Sequence, residues 1–308
     1  GSRVAEHALS CVAARVGRNP PEALLEKLAA PLQAVSDAIA GAAVDAAYDP
    51  RVSPVARKFL SVLSGRECAP SAKAGNLASK LRGGTSAAGT FADSGDAPPE
   101  RHQFKEMLSS FSDAALAALE AELWNLTEDS CGSAFLQALL TAHQGDAAAL
   151  NWIIPGFLGC APEEGTKEGE LLASANEADI KQLCESRSGS HLFEAVLRAA
   201  PRNLLGEIFR RFFRGKMRGI AGHPTANFVL QALMGATRDG DHVNTALQEL
   251  GPDFGSLIRE RRAGVVAAIL AACARVRAGE RDAAKNLARG LTAKMAARKE
   301  GRSQLAPA

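Results

Sequence analysis

Aromatic residues are scarce in this chain of 308 residues: 5% in all, with a single tyrosine, Tyr48. Alanine and leucine dominate instead, which favours helix over sheet, because strands draw on aromatic and β-branched residues. Clear apolar–polar alternation is missing too, and nearly every long segment carries the amphipathic helical period. No apolar run approaches the ~20 residues of a membrane span, and no signal-peptide pattern opens the chain, so no membrane partner is expected. Charge is close to balanced: 36 Lys and Arg against 34 Asp and Glu leave +2, too little to argue for nucleic acid by itself. Six cysteines (Cys11, Cys68, Cys131, Cys160, Cys184, Cys273) are scattered, without a CxxC and without histidines at ligand spacing. They read as reduced thiols, with no metal site and no cofactor. P-loop, GxSxG, HExxH and paired-carboxylate motifs are absent, so no catalytic residues are assigned and the chain is not expected to be an enzyme.

What the chain does have is a phrase stated three times: Cys131-Gly132-Ser133-Ala134-Phe135-Leu136-Gln137, Ser188-Gly189-Ser190-His191-Leu192-Phe193-Glu194 and Thr225-Ala226-Asn227-Phe228-Val229-Leu230-Gln231. Each runs small, Ser or Asn, variable, apolar, apolar, Gln or Glu. The two polar positions are four apart, which on a helix places them side by side on one face. Val52-Ser53-Pro54-Val55-Ala56-Arg57 fits with Arg57 in the fifth position, and Ser2, Arg3 and Glu6 fit at the start, which implies that the chain begins inside a repeat. A degenerate copy at Arg262–Leu270 has lost the polar pair. The copies start at 2, 53, 133, 190, 227 and about 264, so the last two intervals are 37 residues each. Ser133, Ser190 and Asn227 also suit helix N-caps, as do Asp113 and Asp241, but a cap does not require Gln or Glu one turn later. A recurring polar pair on successive helices is how a solenoid presents hydrogen-bonding groups to a long ligand.

The expected fold class is therefore all-α, an α-solenoid of helical repeats. Helices are expected over 22–46 (two short ones, broken at Pro31), 104–121, 133–143, 170–184, 190–199, 203–220, 227–236, 243–250, 264–277 and 281–298. Residues 67–99, rich in Ser, Gly, Ala and Pro without periodicity, read as a disordered insertion. Residues 155–169 read as a loop and 300–308 as a flexible tail. The repeats then occupy 1–66 and 100–299.

Glu185-Ser186-Arg187-Ser188-Gly189-Ser190-His191-Leu192-Phe193-Glu194 and His223-Pro224-Thr225-Ala226-Asn227-Phe228-Val229-Leu230-Gln231 resemble Pumilio (PUF) repeats, and among them the nucleolar protein nine branch. Asp49-Pro50-Arg51-Val52-Ser53 and Asp129-Ser130-Cys131-Gly132-Ser133 are similar. The resemblance implies a curved array that binds single-stranded RNA, one base per repeat. Carried over residue by residue, it implies that Asn227 and Gln231 suit uracil with Phe228 stacking, and that Ser190 and Glu194 suit guanine with His191 stacking. Ser2, Arg3 and Glu6 form the same kind of triad, and Ser133 with Gln137 suits adenine. Pro54 with Arg57 matches no base-reading pair. The resemblance also implies a nucleolar role in small-subunit ribosomal RNA maturation, through precursor rRNA, beside other proteins of the pre-ribosomal particle.

Two basic features stand apart from the repeated phrase. Arg210, Arg211, Arg214, Lys216 and Arg218 interleave with Phe209, Phe212 and Phe213, which reads either as a solvated face over a core or as a row of phosphate contacts. Residues 257–302 hold twelve Lys and Arg against four acidic residues, a local excess of +8 suited to steering a polyanion. The rival reading is a protein-binding scaffold of HEAT or armadillo type, which has no reason to keep a polar pair at matched positions.

Overall fold

A computed structural model describes residues 1–16, 21–68, 104–161 and 165–303, with side chains to Thr292. Among these residues the structure is helical and contains no strand. In chain order the helices are α1 (Ser2–Val16), α2 (Glu22–Gly41), α3 (Ala43–Tyr48), α4 (Ser53–Ser64), α5 (Lys105–Leu119), α6 (Leu123–Glu128), α7 (Ser130–Ala142), α8 (Ala147–Phe157) and α9 (Glu177–Glu185). They continue as α10 (Arg187–Ala199), α11 (Arg202–Ile208), α12 (Met217–Gly222), α13 (Ala226–Ala236), α14 (Gly240–Leu250), α15 (Phe254–Arg259), α16 (Ala263–Val276) and α17 (Glu280–Ser303). After α1 the order long helix, short helix, motif helix recurs: α2-α3-α4, α5-α6-α7, α8-α9-α10, α11-α12-α13 and α14-α15-α16.

The motif helices stack directly in that order, α1 on α4, α4 on α7, α7 on α10, α10 on α13 and α13 on α16. Every helix that carries a copy of the phrase thus lies in one layer, as an α-solenoid requires. Apolar residues from Leu9 to Ala283 form one continuous buried cluster. Each unit covers its neighbour, and aromatic contacts mark some of the joints. Phe59 on α4 meets Phe111 on α5 edge-on at 5.3 Å, and Phe209 stacks on His242 of α14 at 3.9 Å.

Several expected boundaries move. Residues 22–41 form one helix through Pro31. The proline is exposed, so the carbonyl it leaves without a helical partner faces water, and the helix survives. Residues 203–220 do not form a continuous helix: α11 passes into a π-turn over Phe209–Phe213, and Gly215, at φ +78°, turns the chain into α12. Part of the expected 155–169 loop belongs to α8, and α17 runs to Ser303 into the expected tail. The expected insertion at 67–99 lies outside the described residues except for its first two positions, which belong to the folded unit. There the Cys68 N–H donates to Ser61 Oγ, and Lys58 pairs with Glu67. The short helices α3, α6 and α15 carry too few residues for a readable period.

The helix caps also differ from expectation. The helix containing Ser133 is capped by Asp129, which accepts from Cys131 N and Gly132 N, and that containing Ser190 by Ser186, which accepts from Gly189 N. Asp239, not Asp241, caps α14, while Asp113 lies inside α5.

Candidate nucleic-acid interface

Each motif position has one physical task. The small residue before the first polar position faces the short helix. A Cβ on Gly132 would stand 2.5 Å from Leu126 Cδ2 and 2.9 Å from Leu126 O, and one on Gly189 would stand 2.7 Å from Leu183 O. Those close approaches seat α7 on α6 and α10 on α9. Ala226 is buried at the same place in α13.

The first polar position is buried throughout the middle of the array, at 0% exposure for Ser53 and 2% for Ser133, Ser190 and Asn227. Ser53 Oγ donates to the Cys131 carbonyl at 3.3 Å, and Ser133 Oγ donates to the Ser188 carbonyl at 3.1 Å. These acceptors hold matched places, two residues ahead of the first position in the next motif helix. The two serines therefore clasp successive repeats. Ser190 Oγ instead donates within its own helix, to the Arg187 carbonyl. Asn227 Nδ2 donates to both the His223 and Pro224 carbonyls, at 2.9 and 2.8 Å.

The fifth position leans on the first. Gln137 Nε2 donates to Ser133 Oγ at 3.1 Å, and Gln231 Nε2 donates to Asn227 Oδ1 at 3.0 Å. Two carbonyls around Asn227 Nδ2 fix that amide, Asn227 Oδ1 must then be an acceptor, and the Gln231 amide is fixed in turn. Glu194 is held differently, with Arg198 Nη1 and His191 Nδ1 each 3.5 Å from its carboxylate. That hydrogen bond to Glu194 raises the His191 pKa against the opposing effect of burial. Gln137, Glu194 and Arg57 are half-buried, whereas Glu6 is exposed. Arg57 Nε donates to the Ser53 carbonyl at 3.3 Å, and burial pushes its pKa down.

The variable second position faces solvent in three of the helices and is half-buried at Pro54 and Ala134. Arg3, His191 and Phe228 are exposed, Phe228 by 53%. Ser2 lies half-buried at the start of the row. In α16 the burial of Val265 and Val266 matches that of Val229 and Leu230. This aligns Gly264 with Phe228 and Ala267 with Gln231, one residue earlier than motif spacing suggests.

The basic cluster belongs to the segments ahead of α13, and its phenylalanines are core: Phe209, Phe212 and Phe213 are all buried. Arg211 pairs with buried Glu207 at 3.0 Å, Lys216 with Glu177, and Arg218 with Asp253. Three of the five cations are thus paired with carboxylates, Arg211 half-buried and Lys216 and Arg218 at the surface, while Arg210 and Arg214 are exposed with no ion pair among the described residues. At the C-terminal end, Arg259, Arg261, Arg277, Arg281, Lys285 and Arg289 are exposed.

Two sets of supporting residues escaped the sequence reading, apart from His223, whose place before Pro224 already suggests a turn or a cap. Asp49, Asp129, Ser186 and His223 each precede a first position by four residues, and each accepts from backbone N–H groups at the entry to its motif helix. That matched spacing was a readable signal. Glu207 and Glu249 left none. Glu207, 1% exposed, accepts from Leu171 N and Leu172 N, and Glu249 accepts from Gly215 N and Met217 N. Each ties a connection of the preceding unit to the following long helix. Among the described residues no group of His, Cys, Asp and Glu is arranged to hold a metal ion.

A family model described as NOP9-like PUF repeat domain matches residues 1–308. Pumilio homolog 23 of Arabidopsis thaliana is 30% identical over 180 residues, covering 58% of this chain and 24% of that protein. Nucleolar protein 9 of Mus musculus is 30% identical over 104 residues, 34% of this chain and 16% of its own length. The chain therefore spans a quarter or less of these two relatives. The solved structure of APUM23-GGAAUUGACGG superposes with a TM-score of 0.74 at 26% identity, over 94% of this chain and 50% of that one. With its motif helices stacked in one layer and the family model matched from end to end, the chain belongs to the NOP9-like PUF repeat family.

Proposed function

We propose that the chain binds single-stranded RNA along the row of motif helices, as one array formed by residues 1–66 and 100–299. The observation that carries this reading is the separation of tasks along the row: buried first positions, hydrogen-bonding fifth positions and, at Arg3, His191 and Phe228, exposed second positions on helices stacked in order. Glu6, Gln137, Glu194 and Gln231 offer amides and carboxylates to base edges, and Arg3, His191 and Phe228 offer faces for stacking. Ser133, Ser190 and Asn227 act mainly by holding the row and its fifth positions. Exposed cations at the C-terminal end, together with Arg210 and Arg214, contact phosphates.

APUM23-GGAAUUGACGG supports RNA as the ligand class. The name Nucleolar protein 9 supports a place in the nucleolus, and there the RNA would be precursor rRNA of the small subunit, bound beside other proteins of the pre-ribosomal particle. The chain is a binding module and carries no chemistry of its own. A HEAT- or armadillo-type scaffold has the family assignment against it.

The test is selection from a random single-stranded RNA pool by the 308-residue chain, read by sequencing. Enrichment of a short motif is expected, and Gln231→Ala should relax it at one base by about 1–3 kcal/mol. A flat pool, or equal loss at every base, refutes direct readout.

A further inference from the structure

The residue facing Gln231 from the next repeat is Gly264, at the place that Phe228 and His191 fill in their own helices. A Cβ there would lie 2.7 Å from Gln231 Oε1 and 3.0 Å from both Cδ and Nε2. The whole carboxamide head therefore rests flat on the Gly264 backbone. On its other side, its nitrogen is pinned by Asn227 Oδ1 at 3.0 Å, and Asn227 is itself fixed by the His223 and Pro224 carbonyls. Gln231 is consequently 8% exposed, whereas Gln137, whose neighbour in the next helix is not a glycine at this place, is half-buried.

The φ of Gly264 is not in the left-handed region, so the backbone does not demand glycine here. Glycine is a poorer helix former than alanine. Its presence near the start of α16, where it sacrifices both helix propensity and a stacking side chain, coincides with the one place where a Cβ would displace the Gln231 amide.

The geometry points to Gly264 as a positioning residue that sets which face of the Gln231 amide is offered to a base. The inference rests on the RNA-binding reading above. With one Gln231 N–H turned toward Asn227, the carboxamide keeps its other N–H and its oxygen for a ligand. Adding a methyl group at 264 forces the flexible end of Gln231 away from both neighbours, breaks its hydrogen bond to Asn227 and frees the amide to rotate. The helix itself is not strained, because only the far end of a side chain has to move. The base facing Gln231 is then read loosely, and bases facing Gln137 and Glu194 are read as before.

The experiment compares the wild-type chain, Gly264→Ala, Gln231→Ala and the double variant against the same random RNA pool, with thermal melting of each protein. Gly264→Ala should lose roughly tenfold in discrimination at the single base that Gln231→Ala relaxes. It should melt at or above the wild-type temperature, and adding it to Gln231→Ala should change nothing further. A Gly264→Ala profile matching wild type overturns the inference, as does a loss spread over all bases or one that persists without Gln231. If the wild-type chain enriches no motif, the RNA-binding reading fails and this inference falls with it. If Gln231→Ala relaxes one base and Gly264→Ala does not, only the positioning role fails.

Discussion

Replacing Asn227 by alanine should destabilise the array whether or not any ligand is bound. The side chain is 2% exposed and takes part in three hydrogen bonds: two donated by Nδ2 to the His223 and Pro224 carbonyls, and one accepted by Oδ1 from Gln231. At a net ~1 kcal/mol for each bond the loss is about 3 kcal/mol. Alanine returns roughly 0.6 kcal/mol of helix propensity, which leaves about 2 kcal/mol of destabilisation. Gln231→Ala removes only one of those bonds and should cost about 1 kcal/mol. Asn227→Asp should be worse than alanine, because a carboxylate cannot donate to the two carbonyls and is repelled by them. Urea unfolding followed by circular dichroism gives the midpoints. Hydrogen exchange across 217–236 gives the local cost, since a repeat array need not unfold in one step. An Asn227→Ala protein within 0.5 kcal/mol of wild type, or an aspartate variant as mild as alanine, would refute the view that this residue is held by the structure (a threshold near the usual spread of neutral surface changes, about 0.5 kcal/mol).

Removing Glu207 should be the most damaging of the remaining changes. It is 1% exposed and accepts from Leu171 N, Leu172 N and Arg211 Nε, so Glu207→Ala leaves a half-buried guanidinium and two backbone amides without their acceptor. The loss should be about 3 kcal/mol in denaturant unfolding, and a value under about 1 kcal/mol sinks the assignment. Gly189→Ala places a methyl 2.6 Å from Leu183 Cδ1 and 2.7 Å from its backbone oxygen, and should lower stability by about 2 kcal/mol through overpacking. An unchanged or raised melting temperature contradicts it. Burial pushes the His242 pKa down, so the unfolded chain takes up the proton first. Stability is then lost as pH falls below the unfolded value of ~6.5 and levels off below the folded one. His191 acts in the opposite sense, its pKa raised by Glu194, so its contribution is present below the unfolded value and lost as pH rises through the folded one. Unfolding at several pH values should therefore show an acid-side loss that shrinks in His242→Gln and deepens in His191→Gln. The same acid-side slope in both variants would contradict these origins.

The α-solenoid and its layer of motif helices were legible because the motif helices carry the helical period and, except in α16, a matched polar pair. Boundaries failed where the cause was not local. Pro31 does not break α2 because it happens to face solvent, and the helix expected over 203–220 divides because Gly215 adopts a positive φ. The polar pairs were visible as pairs, but not the unequal surroundings of their members. Ser133 and Ser53 look like ligand groups in sequence, yet their hydroxyls reach carbonyls in the next repeat, 55 and 78 residues away. The interleaved arginines and phenylalanines of 209–218 looked like one cluster. In the fold, carboxylates from 177 and 253 neutralise two of those cations, which spacing alone cannot reveal.

By itself, the sequence determined the periodicity, the helix-forming composition and the row of positions four apart, because those follow from which residues recur along a 3.6-residue turn. Tertiary structure alone decided how deeply each member of a pair is buried and what it bonds to. Burial and hydrogen bonding between repeats depend on atoms that are distant in sequence, and only stacking brings Gly264 under Gln231, the Ser188 carbonyl to Ser133 and Glu207 to the backbone of 171–172.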